Sequence, residues 1–346
     1  MNDRPLGRVL VTGGAGFIGS ALVWELNRRG VEEIVVCDVL DRGEKWKNLV
    51  ALRFTDYLEA SDLLGALERS ATFLDAFDTI FHLGACSSTT ETDSAFLMRN
   101  NAGYTRTLAE AAAARGRRFV YASSASTYGA LETDLSEARP LRSLRALNMY
   151  AYSKQFFDLH AERTGLLERI AGLKYFNVYG PNEAHKGDMR SVVAKAYEQI
   201  QADGVVRLFR SYRPDFADGE QCRDFIYVKE AVRTTLALAA DPNANGLFNI
   251  GSGTARTWLD LARATFAALG RDPRIEFVEM PSTLRAKYQY RTEADVGRLF
   301  AAGYTDPPTS LEAGVADYVQ RYLVPERRLD PALPEPADAA PALQRR

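Results

Sequence analysis

Ten residues near the start of the chain, VTGGAGFIGS, restrict its fold more than any other stretch. Gly13, Gly14, Gly16 and Gly19 stand between an apolar run and an amphipathic one. Gly14, Gly16 and Gly19 satisfy G-x-G-x-x-G, while Gly13, Gly16 and Gly19 satisfy G-x-x-G-x-x-G. Such a loop turns tightly, lets backbone approach a pyrophosphate and aims a helix N-terminus at its negative charge. Glycines also mark ordinary turns, so the flanks decide. RVLVTG (Arg8–Gly13) reads as a buried strand and IGSALVWELNRRG as a helix. Asp38 closes the next strand, 19 positions beyond Gly19, where a ribose-binding carboxylate belongs. Three independent requirements coincide, and a dinucleotide site follows. Asp38 favours NAD by repelling a 2′-phosphate, whereas Arg42 and Lys45 could pair with that phosphate and favour NADP. The residues alone leave both cofactors open.

The pattern continues along the chain. EIVVCD (Glu33–Asp38), TIFHLG (Thr79–Gly84) and RFVYASS (Arg118–Ser124) read as strands of a parallel sheet covered on both faces. Helical stretches such as TRTLAEAAAARG lie between them. The expected fold is α/β, a doubly wound parallel (Rossmann) sheet with a smaller second domain. A further strand is expected over IAGLKYFNVYG (Ile170–Gly180). Residues 1–176 form the expected dinucleotide-binding domain, with parts of 220–253 returning to it through FNIGSG (Phe248–Gly253). Residues 177–219 and 254–324 make most of the substrate-binding domain. The Pro- and Ala-rich 325–346 reads as a disordered tail.

Composition removes several alternatives. With 346 residues and 46% hydrophobic content the chain can bury a large core, and its net charge of −2 marks no nucleic-acid partner. Three scattered cysteines and three histidines suit neither a disulfide framework nor a metal centre. No run of about 20 apolar residues occurs, so a cytoplasmic protein without membrane association is expected.

LNMYAYSK (Leu147–Lys154) carries the second chemical signal. Residues four apart share a helix face, so Tyr150 can work beside Lys154, while Tyr152 points elsewhere and is expected to pack. A free phenol has a pKa near 10 and is a poor base. The Lys154 ammonium is expected to lower it, and Tyr150 becomes an acid–base candidate. Ser123, Ser124 and Ser126 end a core strand, where one hydroxyl could hold a substrate oxygen.

TGGAGFIG, Ser124 and YAYSK together resemble the extended short-chain dehydrogenase/reductase family. HLGACSSTTETD (His82–Asp93), RNN (Arg99–Asn101), KYFNVYGPNEAHKGDM (Lys174–Met189), CRDFIYV (Cys222–Val228) and RAKYQYRTEAD (Arg285–Asp295) are similar to its ADP-glyceromanno-heptose 6-epimerase branch, from about Arg8 to about Tyr322. The resemblance implies bound NADP, an ADP-heptose substrate inverted at carbon 6, a place in lipopolysaccharide precursor synthesis and a homo-oligomer, a pentamer in that branch. Ser124, Tyr150, Lys154 and Lys186 would be catalytic. Without the resemblance, Lys186 reads as an ordinary loop lysine. Gly13, Gly16, Phe17, Ile18, Gly19, Asp38, Val39, Lys45, Leu83, Gly84, Ala85, Cys86, Ser87, Asn100 and Val178 would surround the cofactor with Tyr150, Lys154 and Lys186. Asn177, Asp188, Lys195, Phe209, Arg210, Ser211, Tyr212, Arg223 and Tyr288 would meet the substrate, Arg223 as a diphosphate partner.

The chain departs from that branch at Val39, where asparagine is expected, and at Leu83, Ala60, Asp188 and Lys195. The segments Arg139–Leu147 and Arg213–Gln221 are longer than the pattern. Dehydratases place Asp-Glu after the catalytic hydroxyl residue, and Ala125 and Ser126 stand there instead. A 4-epimerase gives no reason for Lys186, and a non-catalytic dinucleotide-binding protein gives none for Tyr150, Lys154 and Ser124.

Overall fold

The structure is a computed structural model that describes residues 5–285 and 288–335. Seven strands form the main sheet: β1 (Val9–Thr12), β2 (Ile34–Asp38), β3 (Asp56–Glu59), β4 (Thr79–His82), β5 (Arg118–Ser124), β6 (Ala171–Tyr175) and, later in the chain, β10 (Gly246–Ile250). All neighbouring pairs run parallel in the order β10-β6-β5-β4-β1-β2-β3. Side chains alternate between two covered faces. Val9, Val11, Val36 and Phe81 pack on one face, and Leu10, Val35, Ile80 and Phe119 on the other. Burial on both faces is why these strands read as unbroken apolar runs.

Strand order reverses between β1 and β4, so the loops after these two strands diverge and open a crevice at their C-terminal ends. Both the glycine-rich loop and Leu83–Ser87 emerge there. The helix Phe17–Arg28 begins at that crevice and is packed against the helix Val228–Ala240.

Ile170–Gly180 is not one strand. It divides at Phe176 into β6 and β7 (Asn177–Tyr179), and Phe176 N donates to Ile250 O at 2.9 Å. β7 leaves the main sheet to pair in parallel with β9 (Cys222–Tyr227), which pairs antiparallel with β11 (Ala255–Thr257). β8 (Val206–Phe209) and β12 (Ile275–Val278) form a separate parallel pair. Within 220–253, β10 therefore joins the large sheet, and β9 does not.

The expectation of a disordered tail is overturned for residues 325–335. Leu329 is fully buried, its N–H donates to Asn182 Oδ1 at 3.0 Å, and Glu335 pairs with Lys229 at 2.5 Å. The buried leucine, its bond to Asn182 and the pairing of Glu335 with both Lys229 and Arg321 hold a segment whose composition alone gives little cause to fold. The remaining residues, 336–346, lie outside the described residues. No helix among the described residues is long and apolar enough to cross a membrane.

Candidate active site

The glycine-rich loop is held by close backbone packing. Gly13 has φ +70°, its N–H donates to Cys37 O at 2.7 Å, and Gly16 N donates to Gly13 O at 3.0 Å. A Cβ on Gly13 would lie 2.5 Å from Gly84 N, and one on Gly19 would lie 2.0 Å from Gly13 O. Only glycine permits these approaches, and they leave backbone N–H groups and the helix N-terminus facing the crevice.

Asp38 closes the far side of this cradle. Its carboxylate accepts from Ala15 N at 2.8 Å, Val39 N at 2.7 Å and Lys45 Nζ at 2.6 Å. Lys45 thus neutralises the acid expected to meet a ribose. Val39 exposes 52% of its surface and stands outside the cavity lining.

The helix Met149–Arg163 begins where Asn148 Oδ1 accepts from Ala151 N at 2.8 Å, an N-cap inside the LNMYAYSK stretch. That start places Tyr150 and Lys154 on the crevice side. Lys154 is buried and donates to Ala122 O at 2.8 Å. Burial pushes its ammonium down to about 8, opposed first by Asp158 and then by Cys86. The expected lowering of Tyr150 does not emerge. Burial raises the phenol, and the Ser124 hydroxyl rather than the ammonium opposes the rise. Tyr152 was expected to pack, yet it is 45% exposed, and its ring lies 6.1 Å from that of its exposed neighbour Phe156, centroid to centroid.

Lys186 reaches the crevice from the short helical turn Ala184–Met189, with Nζ 5.2 Å above the Phe17 ring. Burial lowers its pKa, and Glu183 opposes that shift. Glu183, itself buried, fixes the turn by accepting from Ser191 N and Oγ, both at 2.6 Å. His185 contacts Asn48 Nδ2 at 3.2 Å, and burial holds it neutral at about 4.

Arg223 on β9 projects toward the same space. It is buried, donates to Cys222 O at 2.8 Å and to Gln289 O at 2.5 Å, and lies over the Trp258 and Tyr288 rings. Its described partners are carbonyls and rings rather than carboxylates, which leaves its positive charge for an anion.

One cavity of about 690 Å³ gathers most of the residues named from sequence. Gly13, Gly16, Phe17, Ile18, Gly19, Asp38, Lys45, Leu83, Gly84, Ala85, Cys86 and Ser87 line it with Ser124, Tyr150, Lys154, Asn177, Val178, Lys186 and Arg223. Others stand apart from its lining. Asn100 donates to Asn101, and Asn101 braces the wall by accepting from Cys86 N at 2.9 Å. Asp188 is exposed, and its carbonyl accepts from Lys195 Nζ at 2.6 Å. Phe209, Arg210, Ser211 and Tyr212 belong to the β8 edge, where Arg285 covers the Tyr212 ring. Tyr288 sits behind Arg223 and accepts from Trp258 Nε1 at 2.9 Å. Sequence reasoning missed His185, Arg190, Trp258 and Gln289 in the lining. Trp258 had one local signal, the Thr257–Asp260 capping box that begins its helix. Among the described residues no group of three or more His, Cys, Asp or Glu could hold a metal ion.

A switch-point crevice, a glycine cradle and a Tyr-x-x-x-Lys helix opening on one cavity define a nicotinamide-dinucleotide-dependent enzyme of the short-chain dehydrogenase/reductase type. The chain belongs to the NAD dependent epimerase/dehydratase family, whose model matches residues 9–251. It is 54% identical over 315 residues to the ADP-L-glycero-D-manno-heptose-6-epimerase of Nitratidesulfovibrio vulgaris strain Hildenborough, covering 91% of this chain and 97% of that relative. The crystal structure of Helicobacter pylori ADP-L-glycero-D-manno-heptose-6-epimerase superposes with a TM-score of 0.75 at 27% identity, covering 91% of this chain and 96% of that one. MoeE5 in complex with UDP-glucuronic acid and NAD gives a TM-score of 0.70 at 27% identity, covering 91% of this chain and 99% of that one.

Proposed function

We propose that this protein inverts carbon 6 of the heptose in ADP-glycero-manno-heptose, converting the D-glycero to the L-glycero epimer for lipopolysaccharide synthesis. The observation that carries this is the convergence of two proton-carrying groups, Tyr150 and Lys186, on the cavity that contains the glycine cradle. The 54% identity to a heptose 6-epimerase supports the choice of sugar.

The C–H of a secondary alcohol is far too weakly acidic for direct proton removal, so inversion needs hydride taken from one face and returned to the other, which is the chemistry a bound nicotinamide supplies. The cradle fits such a group: Gly13, Gly16 and Gly19 clear the backbone path, and Lys154 and Cys86 border the inner end. Tyr150, steadied by the Ser124 hydroxyl, holds the proton of the carbon-6 hydroxyl on one side. Lys186 handles the proton on the opposite side. Arg223 anchors the diphosphate, so only the small terminal arm of the sugar must rotate between the two.

Purified protein given ADP-D-glycero-D-manno-heptose, without added cofactor, is expected to approach a mixture of both epimers by NMR. Denaturation should release a dinucleotide identifiable by mass. Absence of interconversion, with turnover of a UDP-sugar at carbon 4 instead, overturns the assignment.

NADP is the proposed dinucleotide. Lys45 already cancels the Asp38 charge and keeps a partly exposed ammonium at the cavity edge, which favours a 2′-phosphate. Lys45→Met should weaken NADP by about ten- to a hundredfold, because one charged contact is lost and Asp38 is left unopposed. Titration should find NAD affinity little changed, and equal losses for both dinucleotides would count against this role. The oligomeric state proposed from the resemblance is a pentamer.

A further inference from the structure

Directly behind the Tyr150–Lys154 face lies a buried ion pair with no assigned task. Asp158 stands one turn beyond Lys154 on the same helix face. Its carboxylate accepts from Tyr121 Oη at 2.9 Å and Ser123 Oγ at 2.6 Å, and Lys174 Nζ of β6 lies 3.7 Å from it. Asp158 and Lys174 are both buried, their side chains at most 1% exposed. Lys174 donates to Thr127 Oγ1 at 2.6 Å and lies 4.6 Å above the Tyr128 ring. Thr127 Oγ1 then donates to Ser124 O at 2.8 Å. Three successive residues at the end of β5 are therefore held from behind: Ala122 by Lys154, Ser123 by Asp158, and Ser124 by Lys174 through Thr127.

A buried ion pair adds little net stability, since desolvating both charges offsets their attraction and apolar residues of similar volume do as well. Apolar residues would not hold the hydroxyls of Ser123 and Thr127, and they would place no negative charge beside Lys154. We propose that Asp158, with Lys174, is a positioning residue for the inversion: it orients the Ser124 end of β5 and keeps Lys154 an ammonium. This inference rests on the function proposed above.

The electrostatics support the geometry. Burial alone drives Lys154 toward neutrality, and Asp158 is the first of the groups that oppose it. The other groups facing Lys154 are the Cys86 thiol after β4, His82 of β4 and Tyr150 one turn back. Burial keeps His82 neutral at about 3 and Tyr150 protonated, so neither replaces the Asp158 charge. Removing that charge lowers the Lys154 pKa, and the ammonium is then lost at a lower pH. The alkaline limb of kcat must move in the acid direction.

The test is the pH dependence of kcat for heptose inversion by holoenzyme, compared between wild type, Asp158→Asn and Asp158→Asn/Lys174→Gln, with melting temperature and bound dinucleotide measured alongside. The expected result is an alkaline limb displaced by about one pH unit toward acid, with dinucleotide content and KM essentially unchanged. The double variant carries the test if Asp158→Asn alone does not fold. It removes both members of the Asp158–Lys174 pair, so no Lys174 charge is left unpaired, and it still lacks the acid facing Lys154. A merely structural role would lower the melting temperature and kcat while leaving the limb in place, and that result overturns the inference. Wild-type protein that inverts no heptose instead refutes the proposed function on which it rests.

Discussion

Phenylalanine at position 150 is expected to slow heptose inversion by about 10² to 10⁴-fold, the range a positioned acid–base group contributes. The substitution deletes one hydroxyl and leaves the ring in place, so the cavity shape persists. Burial holds the Tyr150 phenol protonated, opposed by the nearby Ser124 hydroxyl, which makes it a poised proton carrier that Phe cannot imitate. Methionine at Lys186 removes the other carrier while keeping the apolar stem over Phe17. Combined, Tyr150→Phe and Lys186→Met should abolish interconversion, measured by NMR of the nucleotide sugar, while the protein still purifies with its dinucleotide. A double variant that interconverts the epimers at an appreciable rate would sink the two-sided mechanism. Retention of dinucleotide separates a chemical defect from a collapsed cavity.

Both residues show how far one-dimensional information reaches. Tyr150 and Lys154 were legible because helix periodicity is local: four positions put them on one face, and Asn148 supplies the N-cap that starts the helix. The phosphate loop was legible for the same reason, since strand, turn and helix are adjacent in the chain. Lys186 required the resemblance, because nothing in EAHKGDM says that its turn folds over Phe17. The Asp158–Lys174 pair could not be read at all. Its members are 16 positions apart on a helix and a strand, and only the packing of that helix on the sheet joins them. β3 went unnoticed because DYLE is an edge strand with polar residues, which lacks the apolar run of its neighbours. Ile170–Gly180 looked continuous because a chain that changes sheets keeps its apolar character through the break at Phe176. The shift of Tyr150 was misjudged for a related reason: spacing reports which groups share a face, whereas burial depends on everything packed around them.

Alanine at Gly19 is expected to strip the protein of its dinucleotide. A Cβ there would meet Gly13 O at 2.0 Å, Gly13 C at 2.7 Å and Gly14 Cα at 2.9 Å, all backbone atoms that no rotamer change can move aside. Gly13 is itself fixed by its positive φ, its bond to Cys37 O and the backbone of Gly84 behind it. The helix Phe17–Arg28 must therefore shift away from the loop, which turns the N–H groups off the pyrophosphate position. Affinity should fall by at least about a hundredfold, equivalent to losing two charge-assisted hydrogen bonds. Gly30→Ala provides the comparison. Gly30 also has positive φ, +78°, but nothing lies within 4 Å of a Cβ placed there. It should cost about 1 kcal/mol of stability from backbone strain and leave the dinucleotide bound. Mass analysis of denatured protein reads dinucleotide per chain for both variants, and melting curves report the strain separately. If Gly19→Ala keeps a full complement, the tight approach of loop to helix is not what holds the pyrophosphate, and the cradle must lie elsewhere on the crevice.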